Sequence, residues 1–216
     1  MTEPRADERA FSHVFITLFV IQFFSWSGMF ALWICAVPFV AEQVLHVSLS
    51  GATGMQTALI AVSLCFTTYA VLGALGGLVL PRLVGLWGHA AVYALGLTAG
   101  AAGLFLLSQA QGPALLVPAF IAIGLGWSAI GSLPYAILGK LAPEGRGSRL
   151  MRVFSFSTVL PQAVTTLLYA VFAQRWVGDR LDLVLLAGAA AMAAAALIAF
   201  LARGAFAAAD LVSDDW

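Results

Sequence analysis

The sequence predicts an all-α polytopic membrane protein with six transmembrane helices, from its composition, its long apolar runs and the distribution of its basic residues. Hydrophobic residues make up 62% of the 216 residues and charged residues 9%, whereas a soluble domain carries about 25% charged residues. The mean hydropathy is +1.00. Because ten basic residues balance ten acidic ones, nucleic acid is not expected as a partner, and the lipid bilayer is.

Each membrane crossing needs about 20 apolar residues, and six segments meet this requirement. They are Phe11–Ala41, Gly54–Leu80, His89–Ser108, Pro113–Leu138, Leu150–Phe172 and Leu183–Ala202. The second and third are expected to be separated by a break at Pro81–Arg82, and polar loops run over Lys140–Arg149 and Gln174–Asp182. The predicted organisation is a tail over residues 1–10, a bundle over residues 11–203 and a second tail over residues 204–216.

The basic residues predict the orientation, because cytoplasmic loops of membrane proteins carry an excess of Lys and Arg. Eight lie in the two tails, the loop between helices two and three, and the loop between helices four and five, against two on the other side. The eight are Arg5, Arg9, Arg82, Lys140, Arg146, Arg149, Arg152 and Arg203, and the two are Arg175 and Arg180. Both termini are therefore expected in the cytoplasm.

Polar side chains lie at mid-depth in helices one, two, four and five, where they are costly in a membrane. Helices three and six are almost free of them, so the pattern predicts two three-helix units around a polar midplane cavity. The residues expected to bind substrate there are Gln22, Trp26, Trp127, Ser128 and Gln162. Helix two contributes Thr67, Thr68 and Tyr69 at the same depth. The alternative is that the hydroxyl groups only bond between helices and that the tryptophans only pack, rather than stack on a sugar ring.

Two prolines inside predicted helices, together with a tyrosine, predict a gate. Pro134 and Pro161 each remove a backbone hydrogen bond and permit a bend, and neighbours must then satisfy the freed carbonyl in a membrane. Pro134, Tyr135 and Pro161 are accordingly expected to close the cytoplasmic side, with the Lys140–Arg149 loop at the anionic leaflet. The alternative is that the prolines set a static helix shape and that Tyr135 belongs to the interfacial aromatic belt.

Three ordered segments resemble a known family. The segment QFFSWSGMFALWICAVPFVAEQV, from Gln22, resembles the seventh helix of sucrose-transporter-like proteins and glycoside–pentoside–hexuronide:cation symporters of the major facilitator superfamily. The segment GLGWSAIGSLPYAILGKLAPEGRGSRLMRVFSFSTVLPQAV, from Gly124, resembles the tenth and eleventh helices, and GLVLPRLVGLWG, from Gly77, resembles the cytoplasmic loop after the eighth. The resemblance covers nearly the whole chain, about residues 10 to 203.

This resemblance implies the C-terminal half of a twelve-helix transporter in a bacterial inner membrane. Such proteins move sugars or glycosides by alternating access, coupled to protons or sodium, and their coupling acids generally lie in the N-terminal half. The superfamily's Gly-x3-Asp-Arg loop is reduced here to Gly77 and Pro81-Arg82, with the acid lost. The implied partners are a sugar or glycoside, a proton or sodium ion, and an N-terminal six-helix half or a second copy.

Three interpretations follow from the length of the chain: half of a transporter, a six-helix homodimeric carrier, or a remnant or membrane-bound interaction protein that does not transport. An enzyme is not expected, because His13, His46 and His89 are scattered over three helix ends and have no acid partner in view. No cofactor and no metal site are predicted. Cys35 and Cys65 lie in apolar runs and are expected to be small buried hydrophobic residues.

Overall fold

The computed structural model describes residues 6–141, 147–171 and 180–211, and within these ranges the chain forms helices and short connections without a strand. Several of the predicted features fall outside these ranges: both tail ends (residues 1–5 and 212–216), Pro143 and Arg146 of the basic loop, Phe172, and most of the Gln174–Asp182 loop with Arg175. An all-α membrane protein agrees with five described helical segments that are long and apolar enough to cross a bilayer.

The helices follow the chain in a simple order. The first helix, α1, spans Ala6–Pro38 and continues as a π-helix over Phe39–Val44. The next helical segment, Ala52–Ser108, is interrupted at Gly88. We therefore name residues 52–87 α2 and residues 89–108 α3. The short 3-10 turn Pro113–Leu115 leads into α4 at Leu116–Leu141. The remaining helices are α5 at Gly147–Phe154, α6 at Phe156–Leu168, α7 at Leu181–Leu201 and α8 at Arg203–Leu211.

The break between α2 and α3 lies at Gly88, and the prediction that it lies at Pro81–Arg82 is wrong. Gly88 has φ 78° and ψ 163°, a backbone region that is open essentially to glycine alone. The helix continues through Pro81, because a proline keeps a helical φ and removes only its own N–H bond to the carbonyl four residues earlier. A positive-φ glycine, unlike the proline, changes the direction of the chain.

The contacts of α2 show that it runs parallel to α4. A β-carbon placed on Gly124 would lie 2.7 Å from the carbonyl oxygen of Tyr69, and one placed on Gly76 would lie 2.6 Å from Oγ of Ser128. Residue numbers therefore rise together along the two helices. The glycines allow this close approach, as small residues commonly do between membrane helices.

The contacts of α3 with α4 show that these two helices are antiparallel. Gly96 faces Ala129, whereas Gly103 faces Ala119, with added β-carbons only 2.4 Å and 2.6 Å from the nearest atoms of those residues. Because α2 is parallel and α3 antiparallel to α4, the chain turns back on itself at Gly88. A straight helix of 57 residues would be about 85 Å long at 1.5 Å per residue, far more than the roughly 30 Å of a bilayer core.

The predicted fifth helix is divided at Ser155, between α5 and α6. Both the backbone N–H and the hydroxyl of Ser155 donate to the carbonyl of Met151, at 3.0 Å each. The N–H of Thr158 then donates to the carbonyl of Ser155 at 3.1 Å, and this three-residue bond tightens the helical turn. Side-chain competition of this kind for helical carbonyls weakens and bends a helix.

The core lies where α1, α3, α4 and α7 meet. Tyr93, Leu97, Leu104, Phe120 and Met192 are fully buried there. Helices α1 and α7 also approach closely, since a β-carbon on Gly28 would lie 2.8 Å from the carbonyl oxygen of Gly188. By contrast α2 and α6 leave much of their surface exposed, and α6 packs mainly on α1.

The segment predicted as a C-terminal tail contains the helix α8, which packs against the bundle with Phe206 and Ala209 fully buried. Asp210 in this helix accepts a hydrogen bond from the backbone N–H of His89 at 2.9 Å and contacts Nδ1 of the same residue at 2.5 Å. The expectation that His89 has no acid partner is therefore wrong. The carboxylate caps the first turn of α3, where a negative group is stabilising.

Candidate functional site

Four aromatic residues from three helices meet about midway along the length of those helices, and we call them the aromatic cluster: Trp26 and Trp33 of α1, Tyr69 of α2 and Trp127 of α4. The ring of Trp127 is central, with centroids of Trp26, Tyr69 and Trp33 at 5.3, 5.6 and 5.8 Å. All three tryptophan pairs meet edge to face, a favoured arrangement for aromatic rings. Each residue lies well inside its apolar helix.

Helical spacing accounts for the contribution of α1. Trp26, Phe30 and Trp33 are four and three residues apart, so they share one face of the helix. The ring of Phe30 lies 5.7 Å from Trp26 and 5.0 Å from Trp33. On α2, Gly73 makes room for the partner indole, because a β-carbon there would lie 2.9 Å from Cδ1 of Trp127.

Two hydrogen-bond donors in the cluster have no partner within the described part of the chain. Nε1 of Trp26 and the hydroxyl of Tyr69 are buried, and neither bonds to any described residue. A buried polar group without a partner costs about 1–3 kcal/mol, and the large majority of such groups in native proteins are satisfied. Both residues contact Trp127, so the two unpaired donors belong to rings that touch one indole.

The cluster lies at the edge of the bundle. Tyr69 is 7% exposed, whereas the rings of Trp26, Trp33 and Trp127 are half-buried and present part of their surface outside the bundle. The described residues near these rings carry no charge, because α1, α2 and α4 have no Asp, Glu, Lys or Arg at this depth. The cluster therefore offers apolar ring faces and two unpaired donors.

Gln22, predicted to contact substrate, is fully buried, and its amide bonds to residues of two other helices. Its Nε2 donates to the carbonyl of Ile130 at 3.4 Å, and its Oε1 accepts from the hydroxyl of Tyr93 at 3.3 Å. The carbonyl of Ile130 lies four residues before Pro134, which has no N–H to donate to it. Gln22 thus supplies the donor that the proline removes, and its contact with substrate stays a prediction.

The two other predicted substrate residues lie apart from the cluster rings. Ser128 is buried, and its hydroxyl donates to the carbonyl of Leu125 at 2.7 Å. Gln162 is exposed on α6, and its amide makes no hydrogen bond to a described residue. The structure therefore brings Trp26 and Trp127 into contact and leaves Gln162 on another helix surface.

Two of the predicted gate residues, Pro134 and Tyr135, lie in the second half of α4, toward the basic loop, and Pro161 lies inside α6. Pro134 and Pro161 are buried, while Tyr135 is 36% exposed. The ring of Tyr135 lies 5.6 Å from Phe154 of α5, which lies 5.8 Å from Phe15 of α1. These three rings connect three helices at this end of the bundle, and their role as a gate stays a prediction.

A groove of about 370 Å³ lies between α1, α6 and α7, away from the cluster. Apolar side chains line most of it, together with Ser27, Thr165 and Tyr169. The hydroxyl of Ser27 already donates to the carbonyl of Phe23 at 2.8 Å. This groove has the character of a lipid-facing furrow, and it contains none of the predicted substrate residues.

Sequence reasoning missed two members of the cluster as site residues. Tyr69 stood out only as a polar residue at mid-depth, and the signal for Trp33 is its position seven residues after Trp26 on the same helix face. Which helix faces meet depends on the tertiary packing around Trp127. Comparison with protein-family models, with curated proteins and with solved structures gave no match to this chain.

Proposed function

We propose that this chain is the C-terminal half of a secondary active transporter that moves a sugar or glycoside across a membrane by alternating access. The observation that carries the proposal is the aromatic cluster, where three helices contribute ring faces and two unpaired donors at mid-depth. Aromatic faces fit the apolar face of a sugar ring, and unpaired donors fit its oxygen atoms. A site at the bilayer midplane between helices is typical of secondary transporters.

The helix directions support six membrane passes. Gln22 contacts Tyr93 and Gly28 contacts Leu104, so α1 is parallel to α3. The helices α2, α4 and α7 are antiparallel to both. With the reversal at Gly88, the segment Ala52–Ser108 supplies two passes. We propose two three-helix units in a bacterial inner membrane with both termini cytoplasmic. The first unit is α1, α2 and α3, and the second is α4, the single crossing formed by α5 and α6, and α7.

Pro134 supports a mechanism in which α4 bends. Its neighbour Tyr135 contacts Phe154, so a bend at the proline would move the ring that joins α4 to α5. Gln22 holds the carbonyl that the proline leaves unpaired, and this contact links α1 to the same bend. Pro161 occupies a corresponding place inside α6. We propose that these helices open and close the cytoplasmic end during alternating access.

A second bundle would complete the cavity. The half-buried rings of the cluster and the exposed amide of Gln162 suit a water-filled or protein-covered surface better than lipid, because polar groups in hydrocarbon are costly. We propose an N-terminal six-helix half as the partner, with a second copy of the chain as the alternative. Proton or sodium coupling would then depend on carboxylates of the partner half.

The test is sugar uptake by the complete assembly in proteoliposomes, with and without a proton or sodium gradient. Trp127→Ala should reduce uptake at least tenfold, because it removes the central ring of the cluster. The matched control is Trp87→Ala, since Trp87 is 57% exposed beside the chain reversal and outside the cluster. Equal uptake by both variants would contradict the assigned site. Absence of uptake in every assembly, including a dimer of the 22.6 kDa chain, would favour a membrane protein that does not transport.

A further inference from the structure

A second groove lies on the surface of the bundle between α3 and α7, and we call it the α3–α7 groove. It encloses about 560 Å³. Alanines of both helices, such as Ala94 and Ala196, form its buried floor, and its rims include the exposed side chains of Leu95 and Phe200. The one hydroxyl group in its lining, that of Thr98, donates to the carbonyl of Ala94 at 2.7 Å. The groove therefore presents an apolar surface that suits a hydrocarbon chain.

The groove occupies one end of the bundle. Along α3 it runs from Ala91, in the first turn, to Ala101, and along the antiparallel α7 it runs from Ala193 to Phe200, in the last turn. Ten helical steps of 1.5 Å cover about 15 Å, which is half of the roughly 30 Å of a bilayer core. The groove therefore matches the depth of a single leaflet, on the side of the membrane where α8 lies.

A cation lies at the end of the groove that is nearest to α8. The guanidinium carbon of Arg203, the first residue of α8, lies 5.7 Å from the centre of the Phe200 ring, a cation–π distance. Arg203 is exposed and forms no ion pair within the described part of the chain. The acid of the same helix, Asp210, is paired with His89. The positive charge of Arg203 is therefore available at the level where a lipid headgroup lies.

The groove between α1, α6 and α7 is less suited to a charged lipid. Its nearest arginine is Arg180, which precedes α7 and lies three residues before Leu183 in the lining. Nε and Nη2 of Arg180 donate to the two carboxylate oxygens of Asp182 at 2.9 and 2.7 Å. Because this ion pair already neutralises Arg180, the α3–α7 groove is the better match for an anionic headgroup.

A second copy of the chain is the competing occupant of the α3–α7 groove, since small residues also let membrane helices pack together. A twofold dimer seated on the groove would place its two Arg203 side chains at the same depth and close to the axis. Like charges at such a contact repel each other. A lipid phosphate at the same place would instead neutralise the arginine, so the charge favours a lipid.

We infer that the α3–α7 groove binds an anionic phospholipid, with an acyl chain along the alanine floor and the phosphate on the guanidinium of Arg203. Arginine presents parallel N–H donors that match two phosphate oxygens, and basic pockets between membrane helices bind anionic headgroups. A zwitterionic lipid is disfavoured, because its own ammonium group offsets the phosphate. The inference goes beyond the proposed function and requires only that the chain spans a membrane.

The experiment is a lipid titration of the delipidated full chain in detergent, followed by native mass spectrometry, which counts bound lipids and copies of the chain. The probes are dioleoyl phosphatidylglycerol and dioleoyl phosphatidylcholine, which share their acyl chains and phosphate and differ in net charge. We expect the first phosphatidylglycerol to bind about fivefold more tightly, the contribution of one basic residue at an anionic surface. Equal affinities for the two lipids would overturn the inference.

Arg203→Gln tests the headgroup contact. It should lower the affinity for phosphatidylglycerol about fivefold, to that for phosphatidylcholine. The matched control is Arg82→Gln, because Arg82 is an exposed arginine of α2 outside the groove, and this variant should keep the preference. An equal loss in both variants would show that the overall positive charge selects the lipid, and it would contradict a site at Arg203.

Ala193→Leu tests the acyl chain, because it fills the α7 side of the groove. It should weaken binding of both lipids alike, at least about threefold, the loss of about one methylene of apolar contact. The control is Ala190→Leu, one turn earlier on α7 and outside the groove, which should leave both affinities unchanged. Both alanines are exposed, so neither leucine disturbs the core.

Two results with Ala193→Leu would reject the lipid site. Unchanged affinity for both lipids would mean that the groove holds no acyl chain and that Arg203 attracts only a headgroup at the surface. Conversion of a dimer to a monomer in the same spectra would mean that the groove is a contact between copies of the chain.

Discussion

At the scale of single residues, Gln22 compensates for Pro134 by donating a hydrogen bond to the backbone carbonyl of Ile130. Pro134 cannot donate to the carbonyl of Ile130, and Gln22 of another helix lies 3.4 Å from that oxygen. A membrane interior contains no water to satisfy such a group. The buried amide is therefore part of what makes a proline tolerable inside α4.

Gln22→Leu should lower the free energy of unfolding by about 1–3 kcal/mol, because it leaves Ile130 and the hydroxyl of Tyr93 unpaired in the core. In a Pro134→Ala background the loss should be smaller, since the alanine N–H pairs with Ile130. A double-mutant cycle in detergent unfolding measures this coupling. Gln56→Leu on the outward side of α2 is the control, and additive losses at Gln22 and Pro134 would argue against the relation.

At the scale of elements, the reversal between α2 and α3 depends on one backbone conformation and one carboxylate. Gly88 supplies the positive φ, and a β-carbon there would lie 2.9 Å from Oδ2 of Asp210. Asp210 in turn caps α3 through His89. The positive φ thus disfavours a side chain at Gly88, and a β-carbon there would also require the carboxylate of Asp210 to move.

Gly88→Ala should lower the free energy of unfolding by about 1–3 kcal/mol, because alanine is strained at this φ and would displace Asp210. Gly85→Ala is a close control three residues earlier. It lies in open space inside α2, where alanine favours the helix by about 1 kcal/mol. Thermal unfolding in detergent should therefore move in opposite directions for the two variants, and a shared direction would refute the argument.

Asp210→Ala should remove the cap of α3 and cost about 1–2 kcal/mol. Asp210→Asn should cost less, since asparagine keeps an acceptor oxygen for the N–H of His89. Hydrogen exchange of the amides in the first turn of α3 measures the effect locally. If the amides of the alanine and asparagine variants exchange at the same rate, the carboxamide does not substitute for the carboxylate. The contact would then depend on the negative charge of Asp210 and not on a hydrogen-bond cap.

At the scale of the whole molecule, the apolar runs of the sequence predict most of the helices to within a few residues. Apolar length is a property of the local chain, so it needs no tertiary information. The break at Gly88 was missed, because proline is the stronger local signal and a positive φ is invisible in the sequence. The contact of His89 with Asp210 joins residues 121 apart, and no local pattern reveals it.

The candidate site was predictable only in part for the same reason. Trp26 and Trp127 stand out as polar-capable residues at mid-depth and do meet in the structure. Trp33 and Tyr69 join them because of how α1 and α2 rotate against α4, which the sequence does not specify. The polarity of Gln22 predicts that it faces a cavity, whereas in the structure its amide donates a hydrogen bond to the carbonyl of Ile130.

Topology provides a test of the whole fold. Cysteines introduced as Ser50→Cys and Gly112→Cys, with Cys35 and Cys65 replaced by alanine, should both react with an impermeant maleimide added to intact cells. If the chain reverses at Gly88, both loops lie on the same side of the membrane, which the distribution of Lys and Arg predicts to be the outside. Gly204→Cys should then react only after permeabilisation. Ser50 is exposed, and Gly112 and Gly204 lie in open space. Labelling of positions 50 and 112 from opposite sides would contradict the reversal.

The cap of α3 by Asp210 also has a consequence for biosynthesis. The ribosome adds Asp210 only 121 residues after His89, which takes roughly 6–24 s at about 5–20 residues per second. A hairpin of α2 and α3 that forms in that interval has no carboxylate at the start of α3. The contact between His89 and Asp210 therefore follows the synthesis of α4 and α7, which precede Asp210 in the chain.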